Sequence, residues 1–206
     1  RYYIAKLLLS KKITKTVTKK TPLDTNDPGS NNRGSGKKYK IETKKIKVLA
    51  LDINAVNKRK ESALYKAAKV KSLAMVELLL RAGADPNTRN KYGETPLIRA
   101  AAVRNKLKTV QSKNIIKLLL RYKANINAQN RFSKNAIDKA IAKNNHAMVL
   151  FLLTKGADVN KQDRNGNTFL KKTILNYIYT NKISSDPRKY IYTFIKYGTN
   201  VNAQDR

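Results

Sequence analysis

Residues 78–102 read LLLRAGADPNTRNKYGETPLIRAAA. Three leucines run into Gly83, and an Asp85-Pro86-Asn87 turn follows. Gly93, Thr95-Pro96-Leu97 and three alanines complete the stretch. Each part has a physical meaning. The leucines are a helix seam and the glycine is a left-handed stop. The threonine is an N-cap with proline at the first helical position, where a missing N–H costs nothing. Working outward, Asn54, Asn87, Asn127, Asn160 and Asn202 fall into register on the asparagine that closes the turn, with separations of 33, 40, 33 and 42 residues. A period of 33, with two units lengthened by 7 and 9, marks a stacked repeat architecture.

The grammar recurs in every unit. Ser62, Thr95, Asn135 and Thr168 stand at the cap, with Leu64, Leu97, Ile137 and Leu170 two residues later. Small residues follow at Ala67, Ala68, Ala100, Ala101 and Ala140 and let helices approach closely. A second helix carries the bulky seam at 78–80, 118–120, 151–153 and 193–195 and ends at Gly83, Gly156 or Gly198. Lys123 holds that place in one unit, at a cost of about 1 kcal/mol. The turns read ADPN, ANIN, ADVN and TNVN.

These residues resemble the ankyrin repeat: Gly83–Asn87, GETPL at 93–97, GADVN at 156–160, and Gly166 with Thr168 and Leu170. The resemblance implies an all-α, helix-turn-helix solenoid of ankyrin type with β-turn fingers. Ile98, Tyr65, Asp138 and Lys171 stand where the family's histidine would be. The chain then reads as a basic segment with the pattern of a decayed repeat over 1–23, a polar flexible linker over 24–40, and an array over 41–206. The units are 41–54 (partial), 55–87, 88–127, 128–160 and 161–202, followed by a truncated one. Residues 37–49 are expected to form a basic amphipathic helix. The lengthened units are expected to add a turn to each helix, or a projecting loop at the edge opposite the fingers. Both ends look cut, which implies a longer parent chain.

Charge is the compositional outlier: 45 basic against 13 acidic residues, a net of +32. Such a balance favours acidic partners, whether protein, nucleic acid or anionic membrane. There is no cysteine, which excludes disulfides and cysteine-ligated zinc. The longest apolar run, Ala147–Leu153, is far short of the roughly 18 residues of a membrane span. No signal peptide is read in RYYIAKLLLSKK. The chain is expected to be intracellular.

No catalytic, cofactor-binding or metal-binding set emerges, and no small-molecule substrate is implied. The single His146 precedes an apolar helix, the pattern of a surface or capping residue. Aspartates 52, 85, 158, 163 and 205 have turn roles. RGSGKK at 33–38 lacks the glycine spacing and the Ser/Thr of a phosphate loop.

The family binds partners through finger tips and a concave face. By register, the resemblance places Lys58, Arg59, Lys91, Tyr92, Arg131, Phe132, Arg164 and Asn165 at the tips. Glu61, Glu94, Lys134 and Asn167 come just after them, and Lys69, Val70, Ala142 and Lys143 lie farther along the first helices. The first tip position is basic in every unit: Lys58, Lys91, Arg131, Arg164 and Arg206. Adjacent exposed aromatics such as Tyr92 and Phe132 suit an interface anchor. The expectation is a non-enzymatic scaffold for an acidic protein partner, with polyanion binding to nucleic acid or anionic membrane as the alternative. Many degenerate arrays of this family from intracellular bacteria and large viruses act inside host cells, and the composition of the chain points to such an origin as an expectation here.

Overall fold

The computed structural model describes residues 14–22, 39–47, 52–180 and 187–203. It divides into two units, Arg1–Asp52 and Ile53–Arg206. In the first, β1 (Thr14–Pro22) pairs antiparallel with β2 (Tyr39–Lys47), Thr14 opposite Lys47 and Pro22 opposite Tyr39. This corrects two expectations. The chain is not all-α, and the described part of 37–49 is a strand rather than a basic helix. TKTVTKKTP and YKIETKKIK are rich in Thr, Val and Ile, which lose side-chain freedom in a helix and suit a pleated ladder. Thr21 and Pro22 end β1. The rest of the decayed-repeat segment and of the linker, with Val48 and Leu49, lies outside the described residues.

Among its described residues the second unit holds eight helices in four packed pairs. They are α1 (Ala63–Val70) with α2 (Leu73–Arg81), α3 (Pro96–Ala101) with α4 (Lys106–Arg121), α5 (Ala136–Ala142) with α6 (His146–Thr154), and α7 (Phe169–Thr180) with α8 (Arg188–Lys196). The caps start them as the residues predict. Ser62 accepts from the Tyr65 amide at 3.1 Å, Thr95 from Ile98 at 3.3 Å and Thr168 from Lys171 at 3.3 Å. Asn135 and Asp138 form a reciprocal capping box. Gly83, Gly156 and Gly198 stop their helices at φ of +91°, +84° and +76°, and Lys123 adopts +64° in the same place.

Like packs on like: α1 on α3, α3 on α5, and along the other row α2 on α4, α4 on α6 and α6 on α8. Ala68, Ala100, Ala101 and Ala140 are fully buried between first helices, where a larger side chain would force the backbones apart. Leu80, Ile115, Ile116, Leu119, Leu152 and Phe194 fill the space between second helices. The seven-residue extension of the second full unit goes wholly into α4. That helix has 16 residues against nine in α2 and α6, while α3 has only six. The expected sharing of the insertion between both helices is therefore corrected. The added turns carry Leu107 and Val110 into solvent.

The β-turn fingers are also corrected. Among the described residues of this unit no β-strand occurs; a single isolated bridge joins Val56 and Ser62. The connecting loops close on side chains. Asn57, Asn90, Asn130 and Asp163 each accept two amides of their own loop, and the chain turns left at Lys60, Gly93, Ser133 and Gly166. That reversal ends the pairing before a second ladder step can form.

The register asparagine has a job of its own. Asn54 accepts from the Asp85 amide at 2.8 Å, Asn87 from Asn125 at 2.8 Å, Asn127 from Asp158 at 2.9 Å and Asn160 from Asn200 at 2.6 Å. Asn87 and Asn160 also donate to the carbonyls of Lys123 and Gly198, both at 3.1 Å. Each unit is thus tied to the next by this side chain, which at Asn87 and Asn160 is both acceptor and donor, as an ionised aspartate cannot be.

Candidate protein-binding surface

The tip loops present their residues in a rigid row. In each loop an Asx oxygen holds two amides at 2.9–3.0 Å: those of Arg59 and Glu61, Tyr92 and Glu94, Phe132 and Lys134, and Asn165 and Asn167. Neighbouring loops are then tied together. The Lys91 amide donates to the Arg59 carbonyl at 3.0 Å and the Arg131 amide to the Tyr92 carbonyl at 3.0 Å. Below them, Arg89 donates to the Gln129 carbonyl at 2.7 Å, and Gln129 to that of Gln162 at 2.9 Å.

All eight tip residues read from the sequence are exposed: Lys58, Arg59, Lys91, Tyr92, Arg131, Phe132, Arg164 and Asn165. The inter-loop bonds bring Arg59 beside Lys91 and Tyr92 beside Arg131. The Arg164 guanidinium reaches back to the Arg131 carbonyl, so it braces the row as well as charging it. No bond between loops involves Lys58 or Asn165 among the described residues. Arg206 lies outside them. Tyr92 keeps 47% of its surface exposed and Phe132 63%. The Lys91 ammonium sits 4.8 Å from the Tyr92 ring centre.

The first helices carry a network that sequence reading missed. Lys139 pairs with Glu94 at 2.6 Å, and Lys172 with Asp138 at 2.7 Å. Both pairs cross from one unit to the unit before it. The Tyr65 hydroxyl donates to the other oxygen of Glu94 at 2.9 Å. Glu61 faces Lys69 at 3.6 Å. Glu61 and Glu94, expected near the contact surface, are therefore already engaged. Burial works to raise the Glu94 carboxyl, but hydrogen bonds from Lys139 and Tyr65 and the charges of Lys139 and Arg99 outweigh it and hold it below the ordinary value. Burial, and then the bond to Glu94, push the Tyr65 hydroxyl well up. The signal was available: a basic residue stands four positions after each cap, at Lys66, Arg99, Lys139 and Lys172.

The single histidine has packing partners. His146 opens α6 with Nε2 at 2.8 Å from the Thr193 hydroxyl and 3.2 Å from the Lys189 carbonyl, and its ring meets Tyr190 edge-on, so it packs α6 against α8. No group of three or more potential metal ligands converges there. The RGSGKK stretch is outside the described residues. A shallow cleft of about 280 Å³ opens between α2 and α4, and its one acid, Glu77, is paired with Arg81 at 2.5 Å. No helix among the described residues is long and apolar enough to cross a membrane.

Comparison with known proteins agrees with this architecture. The family model described as ankyrin repeats (3 copies) matches residues 39–130, 64–163 and 110–205. No curated protein matches the chain. The 33-residue register, the capped helix pairs and the family match converge: the chain belongs to the ankyrin-repeat family.

Proposed function

We propose that the array binds an acidic protein partner along its tip loops and first-helix face. Ankyrin repeats work as non-catalytic scaffolds for protein–protein interaction. One observation carries the finer reading: Tyr92 and Phe132 are exposed aromatics on adjacent loops that are bonded to each other. An aromatic on a braced loop has little freedom to lose on binding, so more of its contact energy appears as affinity. Lys58, Arg59, Lys91, Arg131, Arg164 and Asn165 surround the pair and supply the rim. The net charge of +32 sets the sign of the partner.

The same charge supports a second reading, binding of a polyanion such as a nucleic-acid duplex or an anionic membrane. Selection of acidic peptides on residues 52–206, followed by titration of the double variant Tyr92→Ala/Phe132→Ala, separates the two. Each truncation should cost about 1 kcal/mol or more of peptide binding. Wild-type affinity in the double variant would sink the aromatic-anchor reading. Duplex binding that survives physiological salt, with a slope worth several phosphates, would establish the polyanion reading instead.

A further inference from the structure

Arg99 breaks a pattern that its neighbours keep. Four residues after the cap, Lys139 and Lys172 each reach back to a carboxylate of the preceding unit, Glu94 at 2.6 Å and Asp138 at 2.7 Å. Arg99 occupies the same place on α3. Its side chain is part-buried, and its Nε is enclosed without a hydrogen-bond partner. Among the described residues no carboxylate lies within ion-pairing distance of it.

The cause is in the preceding unit. The register place of Asp138 is taken there by Tyr65, whose hydroxyl is turned to Glu94. The register place of Glu94 is taken by Glu61, which is turned to Asn57 and Lys69. Both oxygens of Glu94 are already taken, by Tyr65 and Lys139. Beside Arg99, the Lys71 ammonium donates to the carbonyls of Arg99 and Ala100, both at 2.8 Å, which leaves one N–H over. The Arg99 charge acts on Glu94 only from beyond ion-pairing distance, and a part-buried cation with no direct counter-ion is destabilising. The Arg99 charge also acts on the Lys71 ammonium, so the two cations share one neighbourhood.

We propose that Arg99, with the Lys71 ammonium beside it, receives one carboxylate side chain of an acidic protein partner. This rests on the reading above that the first-helix face contacts the partner. A carboxylate is the group that fills the equivalent places at Lys139 and Lys172, and its two oxygens match the guanidinium fork. Burial, and then the charges of Arg99 and Lys108, push the Lys71 amine down to about 8.

The test uses the full chain and a labelled glutamate-rich peptide at physiological salt. Arg99→Gln should weaken binding about tenfold, as loss of a charge-assisted pair does. Arg81→Gln, on the outer helix row, removes the same charge and should change affinity less than about twofold. Arg99→Gln should also melt no lower than wild type, because it removes an unpaired cation, whereas a merely structural arginine would lower the melt. Arg99→Lys should recover part of the binding, and it carries the comparison if the glutamine variant folds poorly.

Equal affinity in the Arg99→Gln and Arg81→Gln variants overturns the proposal. If Tyr92→Ala/Phe132→Ala still weakens binding in that case, the scaffold reading stands without this site. Millimolar inorganic phosphate that displaces the peptide from wild type, and not from Arg99→Gln, would mark a free-oxyanion site and overturn the assignment to a partner's carboxylate.

Discussion

Replacing Asn87 with alanine should loosen the join between the first two full units. The side chain accepts from the Asn125 amide at 2.8 Å and donates to the Lys123 carbonyl at 3.1 Å. Each is worth about 1 kcal/mol net in a typical setting. Asn87 is exposed, so water can replace part of both. A loss of about 1–2 kcal/mol follows, or a fall of roughly 3–6 °C in melting temperature for a domain of this size. In a solenoid, stability is a sum of units and nearest-neighbour interfaces. Weakening one interface should therefore also broaden the urea transition. Residues 52–206 would be followed by circular dichroism in urea and on heating. Asn114→Ala, on the exposed side of α4, is the control and should be neutral or slightly stabilising. If Asn87→Ala melts with the control, the asparagine is a turn residue only, and the ladder contributes nothing to stacking.

Two further predictions concern backbone and charge. Lys123→Gly should stabilise the array by about 0.5–1 kcal/mol, because the position holds φ of +64°. Gly83→Ala meets open space and should cost about 1 kcal/mol from conformation alone, whereas Gly93→Ala brings its Cβ within 3.0 Å of the Arg131 amide and should cost more. Equal melts for the two glycine variants would contradict the close stacking of the tip loops. Lys71 titrates lower in the folded chain than in the unfolded one, so the unfolded chain binds more protons between pH 8 and about 10.5. Stability should rise with pH through that window, by up to about 3 kcal/mol, and Lys71→Met should flatten the rise. Tyr65 acts with the opposite sign above its ordinary value of 10.0, where the unfolded chain loses its proton first and stability falls. A flat wild-type profile from pH 8 to 10 would refute the burial of Lys71.

Much of the array is legible in the residues because its causes are local. Ser62, Thr95, Asn135 and Thr168 cap helices through bonds only three residues long. Gly83, Gly156 and Gly198 stop helices by their own backbone freedom. The tip residues of the candidate surface lie on the outside, and register alone says which residues stand at a turn. What those tips touch was not legible. Asn57, Asn90, Asn130 and Asp163 recur at intervals of 33, 40 and 33, a signal present in the chain but silent about which amides they hold.

By itself, then, the sequence determined the repeat, its helix pairs, its family and the exposure of its tips. Tertiary structure alone decided the rest. The seven-residue insertion went into α4 because α3 ends at a sharp corner while α4 extends freely into solvent. The loops close on Asx side chains rather than as strands, whereas β1 and β2 pair across 16 intervening residues that no local period reveals. Arg99 has no carboxylate within pairing distance because Tyr65 stands where the α5–α7 seam has Asp138, and that vacancy exists only between two packed helices. Local rules choose elements, but a charge is satisfied or left over only once its neighbours from distant sequence are in place.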